Sequence, residues 1–368
     1  MQASCGSRVC RCRAVWYHSV TNVKAGVKMS NQAAPVAPPS LWLKIFGVAA
    51  AVGMLVINLV GFLDAQTGSA LGCGPDWPLC NGRLIPSLSN EHVIIEFAHR
   101  ALVGGFALVA AVFLIWSLIS YRQFIEVKVL AWLGIAFILI QSTLGALAVV
   151  FVNPPTILAL HLGFGMLAMI GTVLLAVFMF QLTARAAGER SGLSFRAAPM
   201  RASTRYFVVG IWIYTYIAIY WGSYVAFRDG GEACPTWPLC NGQIFPGFSG
   251  KVGLDFIHRL FALGLAVLAV LLLVHLKRIA AGRPDMARAG IWFLIAVLMQ
   301  IGTGANVALS RDATGPYMLH LTTLMFLFSM LSYLGLQVMP AGRASRYVFG
   351  PESAPKSGGL HSEGFVES

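Results

Sequence analysis

The chain has 368 residues, 57% of them hydrophobic and 11% charged, with a mean hydropathy of +0.74. Roughly a quarter of the residues of a soluble domain are charged, so these totals exclude one and point to an integral membrane protein. The formal charge of +12 comes without the stacking aromatics or basic groove that nucleic acid requires; the cations lie between apolar runs, where they set membrane orientation.

Residues 1–40 are polar, with Arg8, Arg11, Arg13, Lys24 and Lys28, and no acid precedes Asp64. Two readings stand: the cytosolic tail of a bacterial protein, or an Arg-rich, acid-free mitochondrial targeting segment. Translation could equally start at Met29. Cys5, Cys10 and Cys12 lack a partnering pair or histidine spacing and read as reduced thiols.

A spanning helix needs about 20 apolar residues, and eight runs qualify: Leu41 to Leu63, Phe97 to Ile119, Val129 to Val152, Ile157 to Leu182, Tyr206 to Phe227, Phe256 to Leu276, Ala289 to Leu309 and Tyr317 to Val338. The expected fold is an all-α polytopic membrane protein built as two tandem, pseudo-symmetric four-helix bundles, 41–182 and 205–338. A linker, 183–204, joins them, and a polar tail, 339–368, follows. An even number of spans per half gives both halves the same orientation. Twenty of the 26 Lys and Arg fall on the side of the termini and six on the other. By the positive-inside rule both termini are then cytoplasmic, in a bacterial inner membrane, or face the matrix in a mitochondrial one.

The halves repeat a motif. Trp77-Pro78-Leu79-Cys80-Asn81-Gly82 followed by Glu96-Phe97-Ala98-His99-Arg100 returns as Trp237-Pro238-Leu239-Cys240-Asn241-Gly242 followed by Asp255-Phe256-Ile257-His258-Arg259. A second histidine, His161 or His320, follows the first by 62 positions in each half. His99 and His161 enter spans 2 and 4 from the outer side, as His258 and His320 enter spans 6 and 8, so each pair sits at one depth. Facing histidines in a four-helix bundle suit haem iron, and ionisable groups within spans are usually functional. The plainer alternative is histidines hydrogen-bonded across helices. A zinc or copper site lacks a recurring third ligand. His18, His92, His275 and His361 have no counterparts and read as surface residues.

Glu96 and Asp255 precede their histidines by three positions, one turn away on the same face. Each either caps a helix N-terminus or lies beside a substrate as proton acceptor or fixed negative charge; Glu96 is the better candidate for the second role. Arg100 and Arg259 either pair with anionic propionates or snorkel to water and headgroups. Cys73 with Cys80 and Cys234 with Cys240 can close outer disulfides, as structural staples or as redox-active pairs. Gln141 and Gln300, each 20 residues before the second histidine, line a cavity or bond between helices.

These residues resemble the haem A synthase family over about residues 41 to 338: eight spans in two halves, Glu-x-x-His-Arg in the first, a second histidine in each, and an outer cysteine pair. The resemblance implies oxidation of the C8 methyl of haem O to a formyl group, giving haem A for terminal oxidases. It implies a haem b cofactor between His258 and His320, substrate haem between His99 and His161 with Glu96 beside it, and a Cys73–Cys80 disulfide. No role for Cys234 and Cys240 carries over. The partners it implies are haem O, a haem O synthase (farnesyltransferase), the lipid bilayer and, as an option, further copies of the chain. Two other classes compete: a bis-histidine cytochrome exchanging electrons with quinone, and a quinone-coupled thiol oxidase.

Overall fold

The computed structural model describes residues 36–187, 200–279 and 283–349, so the expectations placed on Cys5, Cys10, Cys12, His18, Met29 and His361 lie outside it. Eight long helices carry the fold: α1 Leu41–Gln66, α2 Glu91–Ser120, α3 Ile125–Val150, α4 Pro155–Ala186, α5 Ala202–Phe227, α6 Gly250–Arg278, α7 Pro284–Leu309 and α8 Thr314–Val338. All eight are long and apolar enough to cross a membrane. The protein is an all-α, multi-pass membrane protein, and the described residues from Ala37 onward form one compact unit.

The helices outrun the apolar runs that predict them. α2 starts at Glu91, six residues before Phe97, capped by the Asn90 side chain on the His92 N–H, and α6 starts at Gly250. Hydropathy stops at the first charge, whereas a helix continues through the headgroup region. Glu96 and Asp255 therefore lie inside their helices, and the N-terminal capping role expected of either is wrong. The linker is also shorter than expected, because α4 runs to Ala186 and α5 begins at Ala202.

Each half forms a closed ring, α1 against α2 and α4 with α3 completing it, and α5 against α6 and α8 with α7 completing it. α4 and α8 are the most enclosed, 78% and 56% of their spans being buried. A helix apolar on all sides belongs inside, and α4 brings small residues to its contacts: at Gly171 a side chain would reach within 2.8 Å of the Gly134 backbone of α3. The halves meet along α1, α4, α5 and α8. There Gln181 of α4 donates to the Tyr333 hydroxyl of α8 (3.1 Å), while inside the second half the Trp212 indole of α5 donates to Ser332 Oγ of α8 (2.8 Å).

The outer loops between α1 and α2 and between α5 and α6 share one form. Asn81 and Gly82, like Asn241 and Gly242, take positive φ, the left-handed pair that a tight primed turn needs and that Asn-Gly supplies at low cost. Each turn closes on a disulfide, Cys73–Cys80 or Cys234–Cys240.

At the opposite end, the region read as a polar tail begins with a further helix, α9 Arg343–Phe349. Its N-terminus sits on Glu126 of α3, which accepts from the Gly342 N–H (2.8 Å) and the Ser345 hydroxyl (2.6 Å). Glu126 belongs to one half and α9 continues from the other, so this contact straps them together. Removing the acceptor leaves the buried Ser345 hydroxyl unpaired, at a cost of about 1–3 kcal/mol, and frees the part-buried Gly342 N–H as well. Glu126→Ala should therefore be cut by trypsin at Arg343 and Arg346 several-fold faster than wild type, with the eight spans intact.

Candidate functional site

Helix packing brings the histidines together in pairs. His99 of α2 and His161 of α4 lie within electrostatic reach of each other, as do His258 of α6 and His320 of α8. Each imidazole is backed by a glycine. A side chain at Gly61 (α1) or Gly222 (α5) would come within 2.7 or 2.6 Å of Cε1 of His99 or His258. One at Gly145 (α3) or Gly304 (α7) would come within 3.0 Å of that of His161 or His320. Other helical glycines, Gly104 and Gly210 among them, face open space. Absence of a Cβ at these four positions lets each neighbouring helix close onto a ring edge and fix the plane in which the ring can turn.

The hydrogen-bonding alternative holds for only one member of each pair. His161 Nδ1–H donates to the main-chain carbonyl of Gln141 (2.7 Å), leaving Nε2 with the lone pair that a metal takes. His320 sits in a polar cluster: the Gln300 amide lies 3.1 Å from both ring nitrogens, Thr303 Oγ1 lies 3.1 Å from Nδ1, and Thr323 donates to Gln300 Oε1 (2.6 Å). His99 Nδ1 and His258 Nδ1 are buried without a hydrogen-bond partner in the protein, and a buried polar atom in that position calls for a partner from a ligand or water. Gln141 and Gln300 thus serve the second histidines, one through main chain and one through side chain.

A carboxylate one turn outward from each first histidine, with the arginine that directly follows that histidine, holds the disulfide loop. Glu96 Oε2 accepts from the Cys73 N–H (2.6 Å), and Oε1 pairs with Arg100, which also donates to the Leu79 carbonyl (2.9 Å). In the second half Arg259 pairs with Asp255 (2.9 Å) and donates to the carbonyls of Thr236 and Cys234, both at 2.7 Å. Neither arginine snorkels; each bolts the loop over the helix ends. All four cysteines are 2% exposed or less, which fits staples and removes the sulfurs from a thiol partner's reach. His92 and His275 are not free surface residues either, since they bond to Ser69 Oγ (2.9 Å) and Thr204 Oγ1 (2.8 Å).

His258 and His320 line a cavity of about 700 Å³ in the second half, within the range of small-molecule and cofactor sites. Ile219, Val225 and Leu324 cover its walls, and the outer-loop residues Trp237, Ile244 and Phe245 form an apolar lip. Two imidazoles on opposite helices, one with an orphaned nitrogen, in an apolar cavity of this size fit a flat iron macrocycle. At the rim lies Asp312, whose carbonyl accepts from Gln66 of α1 (2.7 Å). Burial, with the nearby charges of Glu232 and Asp255, pushes the Asp312 carboxyl up to about 6.

Sequence reasoning missed the four glycines, although they recur with the motif: Gly61 and Gly222 are 161 apart, Gly145 and Gly304 159 apart, the offsets of Cys73 to Cys234 and of the histidines. It also missed Thr303, Thr323 and the buried acid Asp64, which have no equivalents in the other half and so gave no repeat to notice.

Residues 44–332 match the COX15-CtaA family, described as cytochrome oxidase assembly protein. Curated relatives named Heme A synthase are similar along nearly their whole length. That of Alkalihalophilus pseudofirmus is 34% identical over 294 residues, 79% of this chain and 96% of the relative. That of Halalkalibacterium halodurans is 34% identical over 292 residues, 79% and 95%, and that of Symbiobacterium thermophilum 34% identical over 301 residues, 82% and 97%.

Two outcomes follow from the geometry. Gly222→Ala should displace His258 and shift or weaken the absorbance of any bound pigment, while Gly210→Ala, facing open space, should leave the spectrum unchanged. Asp312 holds its proton more tightly when folded than when unfolded, so the stability it contributes is full below its unfolded value near 4 and lost as pH rises through about 6. From about pH 5 to about pH 7.5 the melting temperature of the solubilised protein should fall further in wild type than in Asp312→Asn.

Proposed function

The chain belongs to the COX15-CtaA family of cytochrome oxidase assembly proteins, and from that premise we propose that it is a haem A synthase, an oxidoreductase acting on a CH group that converts the C8 methyl of haem O to the formyl of haem A. The observation that carries the reading is the pair of buried histidine sites, each with one orphaned ring nitrogen and each backed by two glycines.

In this reading the second half holds haem b between His258 and His320, and the first half holds substrate haem O between His99 and His161. Haem b, when bound, supplies one-electron redox chemistry that no side chain offers. The chain's own residues bind, orient and exclude water. His161, locked by the Gln141 carbonyl, presents Nε2 in a fixed tautomer. Glu96, pinned by the Cys73 N–H and Arg100, keeps a negative charge in place one turn from His99. Charge held in position before the reaction stabilises positive charge developing at the methyl carbon without reorganisation. Arg100 has five N–H donors, so its hold on Glu96 and Leu79 leaves others for a propionate, whereas Arg259 is more fully committed, to Asp255 and the carbonyls of Cys234, Thr236, Pro238 and Leu239. The outer loops act as lids, stapled by their disulfides and hung from the helices by these arginines.

The lipophilic substrate arrives through the bilayer from a haem O synthase, and the exposed apolar side chains of the first outer loop, Trp77, Leu84 and Ile85, suit such a route. The excess of cations at the far end supports an inner-membrane protein with both termini cytoplasmic. A quinone-coupled thiol oxidase is disfavoured by the buried cysteines.

The test is pigment analysis of protein made together with a haem O synthase. Wild type should contain haem b with haem O and haem A. Glu96→Ala should keep both haems but lose haem A formation by about 100-fold or more, and replacing His258 and His320 should remove haem b. Normal haem A from Glu96→Ala would take Glu96 out of the mechanism, and a wild type without a Soret band would end the haem reading.

A further inference from the structure

The α1 face that backs His99 has a polar counterpart to an apolar face in the other half. Along α1 it carries Asn58, Gly61 and Asp64, spaced by three so that they stack on one side of the helix. The matching positions of α5, each 161 further on, are Ile219, Gly222 and Val225. Those three line the second-half cavity, with Gly222 against His258, as Gly61 lies against His99. Asp64 thus stands where Val225 meets the cavity, one turn outward from the first histidine.

Asp64 is only 6% exposed, and its Oδ1 is buried without a hydrogen-bond partner. Glu96 and Arg100 lie within electrostatic reach, yet the Arg100 contacts go to Glu96 and the Leu79 carbonyl. An acceptor left empty in a buried site is costly, and a bound group with a hydroxyl would satisfy it. Asn58 differs, because its amide is already spent on the Met54 carbonyl (2.7 Å).

We propose that Asp64 is the specificity-determining residue of the first half, its Oδ1 accepting a hydrogen bond from a hydroxyl of the substrate haem, while Val225 in the same place leaves the second half to a haem without one. The inference rests on the assignment of substrate to the first half. Two hydroxyls have the right chemistry: the one on the hydroxyfarnesyl side chain that separates haem O from haem b, and the alcohol that lies between a methyl and a formyl group. A site built to bond a hydroxyl discriminates strongly against an analogue lacking it, because its own polar group is then left unpaired.

The experiment extracts and separates the pigments of purified full-length variants made with a haem O synthase. If the side-chain hydroxyl is read, Asp64→Val keeps total haem per protein, but haem b replaces haem O and haem A in the first half, their share falling at least about tenfold. Asp64→Asn, which keeps an acceptor oxygen, retains that share. If the alcohol is read, Asp64→Val keeps haem O and loses haem A by a similar factor. Val225→Asp, which puts the acceptor into the second half, raises the share of haem O there and decides the matter should Asp64→Val not fold. The proposal is overturned if Asp64→Val keeps wild-type shares of both haem O and haem A, or if it does not fold and Val225→Asp changes nothing. Failure of the underlying assignment looks different: protein lacking His99 and His161 would still carry haem O.

Discussion

Four half-buried imidazoles at the contacts between lipid-embedded helices set the terms for the rest of this molecule. In hydrocarbon a polar ring finds no water, so protein or ligand must satisfy it. The fold answers with helices drawn close by glycines, so that each ring sits against a backbone rather than in a loose cavity. It partners one ring of each pair and leaves a nitrogen of the other orphaned. Small residues at helix contacts commonly serve packing alone; here four of them also fix where an imidazole can point.

The outer loops depend on the same constraint. A loop of some twenty residues packs only a little apolar surface on the helix ends, Cys73 and Cys80 against Val93 in one half and Phe245 and Phe248 against Phe256 in the other, and its disulfide shapes only a short ring. Charge adds to the hold: a carboxylate one turn from the first histidine holds an arginine, and the arginine holds loop carbonyls. Glutamate in the first half reaches the Cys73 N–H as well. The same pairs therefore position the lid and fix a charge beside the site, and a change to either member acts on both.

Much of this was legible in the sequence because duplication turns single residues into pairs. One histidine within a span says little, but two pairs with identical spacing mark positions that the fold brings together, and the same holds for the Asn-Gly turns and the cysteines. The spans were legible from hydropathy, their ends were not, since α2 and α6 begin among charged residues that a membrane interface tolerates. The loop carbonyls that Arg100 and Arg259 bond to were not foreseen, since no side-chain pattern announces a main-chain partner. The strap of α9 on Glu126 joins positions more than 200 residues apart. Its helix is too short and polar to register.

The same duplication makes departures from it informative. Where the two halves agree, they share what both need: a ring-backing glycine, paired histidines, an arginine and a stapled turn. Where they differ, selection of a common scaffold cannot be the reason. The first half has Asn58, Asp64 and Glu96 where the second has Ile219, Val225 and Asp255, while the second surrounds its later histidine with Gln300, Thr303 and Thr323. Hydrogen bonds to a ligating imidazole tune the metal behind it, and polar groups on the cavity wall act on whatever occupies the cavity. On the proposed assignment the second half gathers its polar atoms around the later histidine, as a resident redox cofactor requires, and the first sets Asp64 and Glu96 near the earlier one, as a substrate that must be recognised and changed requires. In that proposal the division of labour is read from the positions that the repeat does not preserve.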